Sequence, residues 1–393
     1  MQIKFSRTMI ASAVTFAALF TAPAWVMAQP QQGRGGQTPA APTGPLAPEK
    51  YKNIQVLTNV PADEIETTMR YVSAAVGQPC SGCHVQEASG QFSYEKDDRR
   101  TKQTARNMMK MVLGINASNY GLQVECATCH AGRQRPVGLP MAEMMTPEQV
   151  AQMNAAPAGG PGRGPGGGFG GRGGRGAQTP PPAVDAVLNK YFDAIGGRAA
   201  VDKVQSLTRT GTLTNRAGQT VAFTIEEKGN KFRETEETKP GATVLAFDGS
   251  AGWMQADGKT ADLAGFLLDQ TLRLNDLGRI SQLSTRYPTL QASGRPFPIN
   301  GKSAISVMGR AGIVMEQFFF DSESGLLVRR VVMTRTPLGA LREQFDYSDY
   351  RPAGDVKIPY QITRQTWDAY DTMKISDAKA NAPVEDARFT KPN

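Results

Sequence analysis

Every cysteine and every histidine of the chain falls in one short motif that occurs twice, Cys80-Ser81-Gly82-Cys83-His84 and Cys126-Ala127-Thr128-Cys129-His130. There are four cysteines and two histidines in all, so nothing is left over for other thiol or imidazole chemistry. The spacing is demanding. Residues three apart on a helical turn share a face, so two thiols so placed can meet the two vinyl groups of one porphyrin. The histidine that follows lies on the same side, where it can ligate the iron. An even cysteine count in an exported chain ordinarily suggests disulfides, but that reading gives no reason for the histidines. A redox Cys-x-x-Cys of the thioredoxin kind should follow a strand in a βαβ pattern, and neither copy does. Zinc held by four thiolates would leave both histidines idle. The paired motifs therefore predict two covalently bound haem c groups, attached through Cys80 and Cys83 and through Cys126 and Cys129, with His84 and His130 on the irons.

With both histidines spent, the remaining axial ligand must be another residue type, and methionine is the usual alternative. The chain has 16 methionines. Ala62 to Val76 reads as a helix, opened by Pro61 with Asp63 and Glu64 in its first turn, and Ile65, Met69, Val72 and Val76 fall on one stripe. Thr101 to Leu113 reads as a second helix, on which Ala105, Met108, Met111, Val112 and Ile115 share a stripe and Met109 sits off it. Methionine on an apolar stripe is ordinarily core filler. Periodicity alone leaves Met108 and Met111 tied, with Met141, Met144 and Met145 also open.

The rest of the chain divides by composition. Residues 1–28 combine Lys4 and Arg7, a mostly apolar run from Met9 to Phe20, and Val26-Met27-Ala28, the pattern of a secretory signal peptide. No run reaches the roughly 18 apolar residues of a membrane span. Residues 29–47 form a flexible leader of Gln, Pro, Gly and Ala. Residues 48–153 are the cytochrome c domain, and 154–183 a Gly/Pro/Arg-rich linker that cannot bury enough apolar surface to fold. Residues 184–393 are a β-rich domain. A helix from Val184 to Ile195 precedes β-branched and aromatic runs at Thr220–Glu227, Thr243–Phe247, Val314–Phe320 and Leu326–Met333. Gly and Asp turns separate them, and helices interrupt around Leu263 to Leu283. The fold class expected is α+β and multidomain: a mostly α-helical dihaem domain followed by a mainly antiparallel β domain. The net charge of +8 is not read as a nucleic-acid signal, since haem propionates would offset much of it and an exported Arg-Gly linker seldom meets RNA.

Several ordered motifs resemble the photosynthetic reaction-centre cytochrome c subunit. They are Asn53-Ile-Gln-Val-Leu, the helix bearing Thr68-Met69-Arg70, and the first haem motif followed by Val85. Ala105-Arg106-Asn107-Met108-Met109-Lys110-Met111, Ile115-Asn116, Val124-Glu125 before the second motif, Gly132 and Pro136 complete them. The likeness runs over about 51 to 138. In that family each Met-ligated haem takes its methionine from the helix before its Cys-x-x-Cys-His, so the resemblance implies Met69 opposite His84 and Met108 opposite His130. The family's four haems and its frequent lipid-anchoring cysteine are not matched here. The C-terminal region resembles, more weakly, periplasmic lipoprotein-carrier domains, which implies a curved antiparallel sheet over a hydrophobic hollow. Phe247-Asp248-Gly249-Ser250-Ala251-Gly252-Trp253, Tyr347-Ser348-Asp349-Tyr350-Arg351 and Val356-Lys357-Ile358-Pro359-Tyr360 carry that likeness.

These readings lead to an exported, periplasmic electron carrier rather than an enzyme, soluble or membrane-peripheral. It would work with redox partner proteins, a membrane-bound electron-transfer complex among them, and with no nucleic acid. A Ser-His-Asp or Cys-His nucleophile system is ruled out, since no histidine is spare. Two other classes follow from the same residues: a peroxidase-like haem enzyme with one open iron site, and a lipid- or ligand-binding envelope protein with a redox module.

Overall fold

Pro61 caps the first long helical stretch with a φ of −54°, close to the value its ring imposes. A single 3-10 turn, Ala62–Glu64, leads into helix α2, Ile65–Val76, which ends at Gly77 in the left-handed conformation. The computed structural model describes residues 44–88, 91–118, 121, 123–136, 180–239, 241–274, 280–366 and 369–392. The expected signal peptide, most of the leader and linker, and Met141, Met144 and Met145 lie outside them.

The N-terminal elements are short helix α1 (Ala47–Lys50), α2, a two-stranded hairpin of β1 (Val85–Gln86) and β2 (Phe92–Ser93), α3 (Arg100–Ala117) and α4 (Cys126–His130). Helix α3 starts one residue before its expected position and runs four residues past it. Lys102 and Arg106 anchor its first turns. The Lys102 Nζ donates to the Tyr94 carbonyl at 2.8 Å and the Lys96 carbonyl at 2.7 Å, and Arg106 bonds the Asp97 carboxylate at 2.9 Å and the Asn53 carbonyl at 3.2 Å. Both cations are buried because their charges and donors are matched at the spot.

After α5 (Val184–Ala194) and α6 (Arg198–Asp202) comes one large antiparallel sheet. Its strands are β3 (Ser206–Asn215), β4 (Thr220–Lys228), β5 (Lys231–Glu236), β6 (Thr243–Phe247), β7 (Gly252–Ala256) and β8 (Lys259–Leu263). After α7 (Gly265–Leu274) and α8 (Leu283–Arg286) follow β9 (Leu290–Ala292), β10 (Phe297–Ile299), β11 (Lys302–Ala311), β12 (Val314–Asp321), β13 (Leu327–Thr336), β14 (Gly339–Ala353), β15 (Val356–Gln365) and β16 (Tyr370–Ala380). Neighbours follow chain order from β10 to β16; β16 then pairs with β3, and the order runs on to β8. Two meanders are thus joined along β16 and β3, whose nine paired residues run from Asp371 opposite Asn215 to Ala380 opposite Leu207.

Inward-facing residues of this sheet, among them Leu213, Phe223, Phe318, Phe320, Val332, Phe345 and Ile362, form one core with Leu188, Phe192 and Ile195 from α5 and its end. Burying side chains of this size stabilises by roughly 1.5–3 kcal/mol each. A second core joins Leu57, Val60, Tyr71, Ala75, Met109, Val112 and Cys126 to Phe266 of α7 and to Leu338 and Leu341 at the β13–β14 turn. No helix among the described residues is long and apolar enough to cross a membrane.

Candidate haem sites

The first motif forms a 3-10 turn, Cys80–Gly82, entered through Pro79. The amides of Cys83 and His84 both donate to the Cys80 carbonyl, at 3.2 and 2.9 Å, which curls the two thiols and the imidazole round one turn. Thr101, in the first turn of α3, donates its hydroxyl to the Gly82 carbonyl. The His84 ring meets Tyr94 edge-on, centroids 5.0 Å apart. Burial, then the charge of Lys102, holds His84 below the ordinary imidazole pKa, against an opposing pull from the Tyr94 backbone. Its Nδ1 is buried with no partner in hydrogen-bond geometry. Asp97, bonded by Arg106 and then Lys102, is held well below the usual carboxylate range.

The second motif is the whole of α4. Glu125 and Thr128 form a reciprocal capping box at its start, with the Glu125 amide donating to the Thr128 hydroxyl at 2.9 Å. His130 is more informative. Its Nδ1 lies 2.9 Å from the Arg133 carbonyl; a carbonyl only accepts, so Nδ1 carries a proton and the neutral ring has its lone pair on Nε2. That arrangement selects the tautomer a metal needs and strengthens the imidazole as a donor. Burial pushes both the Cys126 and the Cys83 thiols up.

Three contacts place this motif. Asn116, near the end of α3, grips Val124 through both backbone groups, at 2.7 Å from its amide and 2.8 Å to its carbonyl. The Gly132 amide donates to the Ala75 carbonyl at 2.8 Å, and the Tyr71 hydroxyl accepts from the Ala127 amide at 3.2 Å. Helix α3 therefore touches the first motif at Thr101 and reaches the second through Asn116. At about 1.5 Å per residue it separates those anchors by roughly 22 Å.

Each helix carries an apolar stripe beside the face it gives to the protein core. On α2 the protein core takes Thr68, Tyr71 and Ala75, while the stripe of Ile65, Met69, Val72 and Val76 is only half-buried. On α3 the core takes Lys102, Arg106, Met109 and Val112, which corrects the expected stripe: Met109 is core, and Met108 and Met111 are 38% and 45% exposed. Met108 and Met111, three residues apart, stand together on that open face. These faces, the four free thiols and the His130 tautomer fit an apolar, thiol-attached, imidazole-ligated group. Among the described residues no three His, Cys, Asp or Glu side chains gather as metal-ion ligands. The helix periodicity did not mark Tyr71, Thr101 or Asn116, and Leu338 comes from a distant hairpin; the only sequence signal was Asn116 within the family-like string.

The sheet holds a different feature. Strands β3, β5, β13 and β15 and helix α7 turn Arg209, Glu234, Arg330, Arg364 and Arg273 onto one cavity of about 30 Å³, walled also by Phe232, Phe345 and Ile362. The charges are largely paired: Arg209 with Glu227 at 2.8 Å, Arg273 with Glu343 at 3.1 Å, Arg364 with Asp371 at 3.1 Å. The space suits one or two water molecules, and ionic groups share its lining with Ile225, Tyr347 and Met373.

The comparisons with known proteins fall on the two halves separately. Residues 23–157 match the family model of the photosynthetic reaction centre cytochrome C subunit. The photosynthetic reaction center cytochrome c subunit of Thermochromatium tepidum is 37% identical over 98 residues, 24% of this chain and 24% of that protein. That of Roseobacter denitrificans is 31% identical over 110 residues, 25% of this chain and 29% of that protein. The chain thus spans about a quarter of the length of these relatives. Among solved structures, a LolA superfamily protein from Nitrosomonas europaea aligns over 53% of this chain and 98% of its own, at 13% identity and a TM-score of 0.38. A DUF1329 family protein from Desulfovibrio piger aligns over 53% and 97%, at 10% identity and a TM-score of 0.36. Over residues 23–157 this chain is similar to the cytochrome c subunit of photosynthetic reaction centres, and it joins that segment to a large antiparallel sheet.

Proposed function

We propose that residues 48–153 hold two covalently attached haem c groups and that the protein carries electrons between redox partners outside the cytoplasm. Cys80 and Cys83 would hold one group with His84 as ligand, and Cys126 and Cys129 the other with His130. The observation that carries this reading is that α2 and α3, the helices that hold the two Cys-x-x-Cys-His turns, each keep an apolar stripe half-covered or open. Haem c, when bound, supplies a one-electron iron couple and so needs no proton donor or nucleophile beside it.

The chain's residues would do the rest. His130, its Nδ1 proton held by the Arg133 carbonyl, would present Nε2 in a fixed direction. Met69 and Met108, by likeness to the family, would be the second axial ligands, and a thioether there raises the reduction potential. Met69 lies on the half-buried stripe of α2 and Met108 on the open face of α3; Met111, also open, is the rival to Met108. An exported location and a membrane-associated redox partner complete the proposal.

Visible spectra of Met69→Ala, Met108→Ala and Met111→Ala, each against the parent protein, test the assignment. Loss of the weak far-red Met–iron band in steps with the first two, and its survival in the third, is expected. Loss with Met111→Ala and retention with Met108→Ala would transfer the second site to Met111. A high-spin signal from the parent protein would favour the haem enzyme.

A further inference from the structure

The second attachment motif does not stand on the helices of its own segment alone. The amide of Cys126, the first of α4, donates to the Leu338 carbonyl at 3.2 Å. Leu338 is fully buried and Leu341 nearly so, in one core with Leu57, Val60, Tyr71, Met109 and Val112. The fit at the turn is close: Gly339 has a φ of +150°, and a side-chain carbon there would lie 2.1 Å from the Tyr71 hydroxyl oxygen. That hydroxyl accepts from the Ala127 amide and donates to the Glu125 carboxylate at 3.4 Å. Beside it, Phe266 of α7 lies in the same core with the Arg70 guanidinium 5.5 Å from its ring. Helix-starting amides need an acceptor that the helix cannot supply. Two of the first amides of α4 find theirs on the β13–β14 turn and on the tyrosine that the turn presses into place.

We propose that the β13–β14 turn of the C-terminal sheet is the seat of the second haem motif, so that the sheet half is a noncovalent, built-in partner of the cytochrome half rather than a tethered passenger. Leu338, through its carbonyl, and Tyr71, through its hydroxyl, are positioning residues: they fix α4 and hence the direction of Cys126, Cys129 and His130. As regards haem, this rests on the function proposed above; the contact between the halves does not. The surface presented is apolar at Leu338 and Leu341, has room for nothing larger than glycine at 339, and is matched by α2 and α4 of the same chain.

The test uses the full chain, matured with haem, with a specific protease site inserted between Gln178 and Thr179. After cutting, the halves of the parent protein are expected to elute together in size exclusion, and those of Gly339→Val to separate. Haem counts and potentiometric titration then read the positioning role. Tyr71→Phe, which keeps the ring and deletes only the hydroxyl, is expected to shift the midpoint potential of the second haem and leave the first unchanged. Gly339→Val is expected to lose attachment at Cys126 and Cys129 and keep it at Cys80 and Cys83. Separation of the parent halves on cutting would overturn the seat. So would a Gly339→Val protein with two attached haems at parental potentials. A parent protein with fewer than two haems would refute the functional reading, while the elution test would still decide the seat.

Discussion

Gly77 closes α2 against the exit of the second motif, and replacing it with alanine has a cost that can be worked out. Its φ is +62°, and a side-chain carbon there would lie 2.2 Å from the Gly132 carbonyl oxygen and 3.0 Å from the carbonyl carbon. The conformation alone costs an alanine about 1–2 kcal/mol. The clash is with backbone, which cannot rotate away, and overpacking of that kind adds roughly 1–3 kcal/mol. Gly121 supplies the control: it has nearly the same φ, +66°, with nothing within 4 Å of an added carbon. Gly121→Ala should therefore show the conformational cost alone, and Gly77→Ala about 1–3 kcal/mol more. Urea unfolding followed by far-UV circular dichroism gives both values on the full chain. The Gly132 backbone holds α2 to the motif through the 2.8 Å bond to Ala75, so the visible band of the haem proposed for that motif should change in Gly77→Ala and not in Gly121→Ala. Equal losses of stability in the two variants, or an undisturbed second haem, would refute the packing argument.

Other expectations follow from the same reasoning. Arg209 and Glu227, 4% and 0% exposed in their side chains, pair at 2.8 Å. Glu227→Leu should cost about 3–5 kcal/mol by stranding a buried cation, and adding Arg209→Met should recover most of it; denaturant unfolding of the three variants reads both. Glu236 is held above its ordinary value of 4.5 by burial and then by Glu234. Its native form binds a proton more tightly than the unfolded chain, so its stability contribution falls as pH rises through that raised value. Glu236→Gln should therefore be more stable than the parent at pH 7, with the advantage gone near about pH 4; a constant difference across that range would contradict the assignment. Asn116→Ala removes both bonds to Val124 and should cost roughly 1–3 kcal/mol, measured by thermal unfolding, with reduced haem loading at the second motif and not at the first.

Much of the candidate site could be read from the residue pattern, and the misses have identifiable causes. The two motifs needed only residue spacing. Helix α2 and its capped entrance came from Pro61 and its acidic first turn, and the strands at Thr220, Thr243, Val314 and Leu327 begin at or within one residue of their apolar runs. Met109 was misplaced because apolar periodicity cannot foresee that Lys102 and Arg106 belong to the core. They do so only because carbonyls of Asn53, Tyr94 and Lys96 and the Asp97 carboxylate meet them there. Strands β3 and β14 escaped notice for the same reason. Arg209 and Glu343 occupy inward positions that the alternation rule assigns to apolar residues, and buried partners across the sheet make this tolerable. The pairing of β16 with β3 joins residues more than 150 apart in the chain, and no local signal encodes it. The seating of Cys126 at Leu338 is hidden likewise, since it spans both halves of the chain.

The central claim is that two haems are attached, one at each motif, and the intact mass of the denatured protein measures it directly. The parent chain, matured with the haem-attachment machinery, should carry the mass of two haems. Cys80→Ala with Cys83→Ala should carry one, and Cys126→Ala with Cys129→Ala should carry the other. A parent chain with one haem or none, or one whose haems leave on denaturation, would contradict the account.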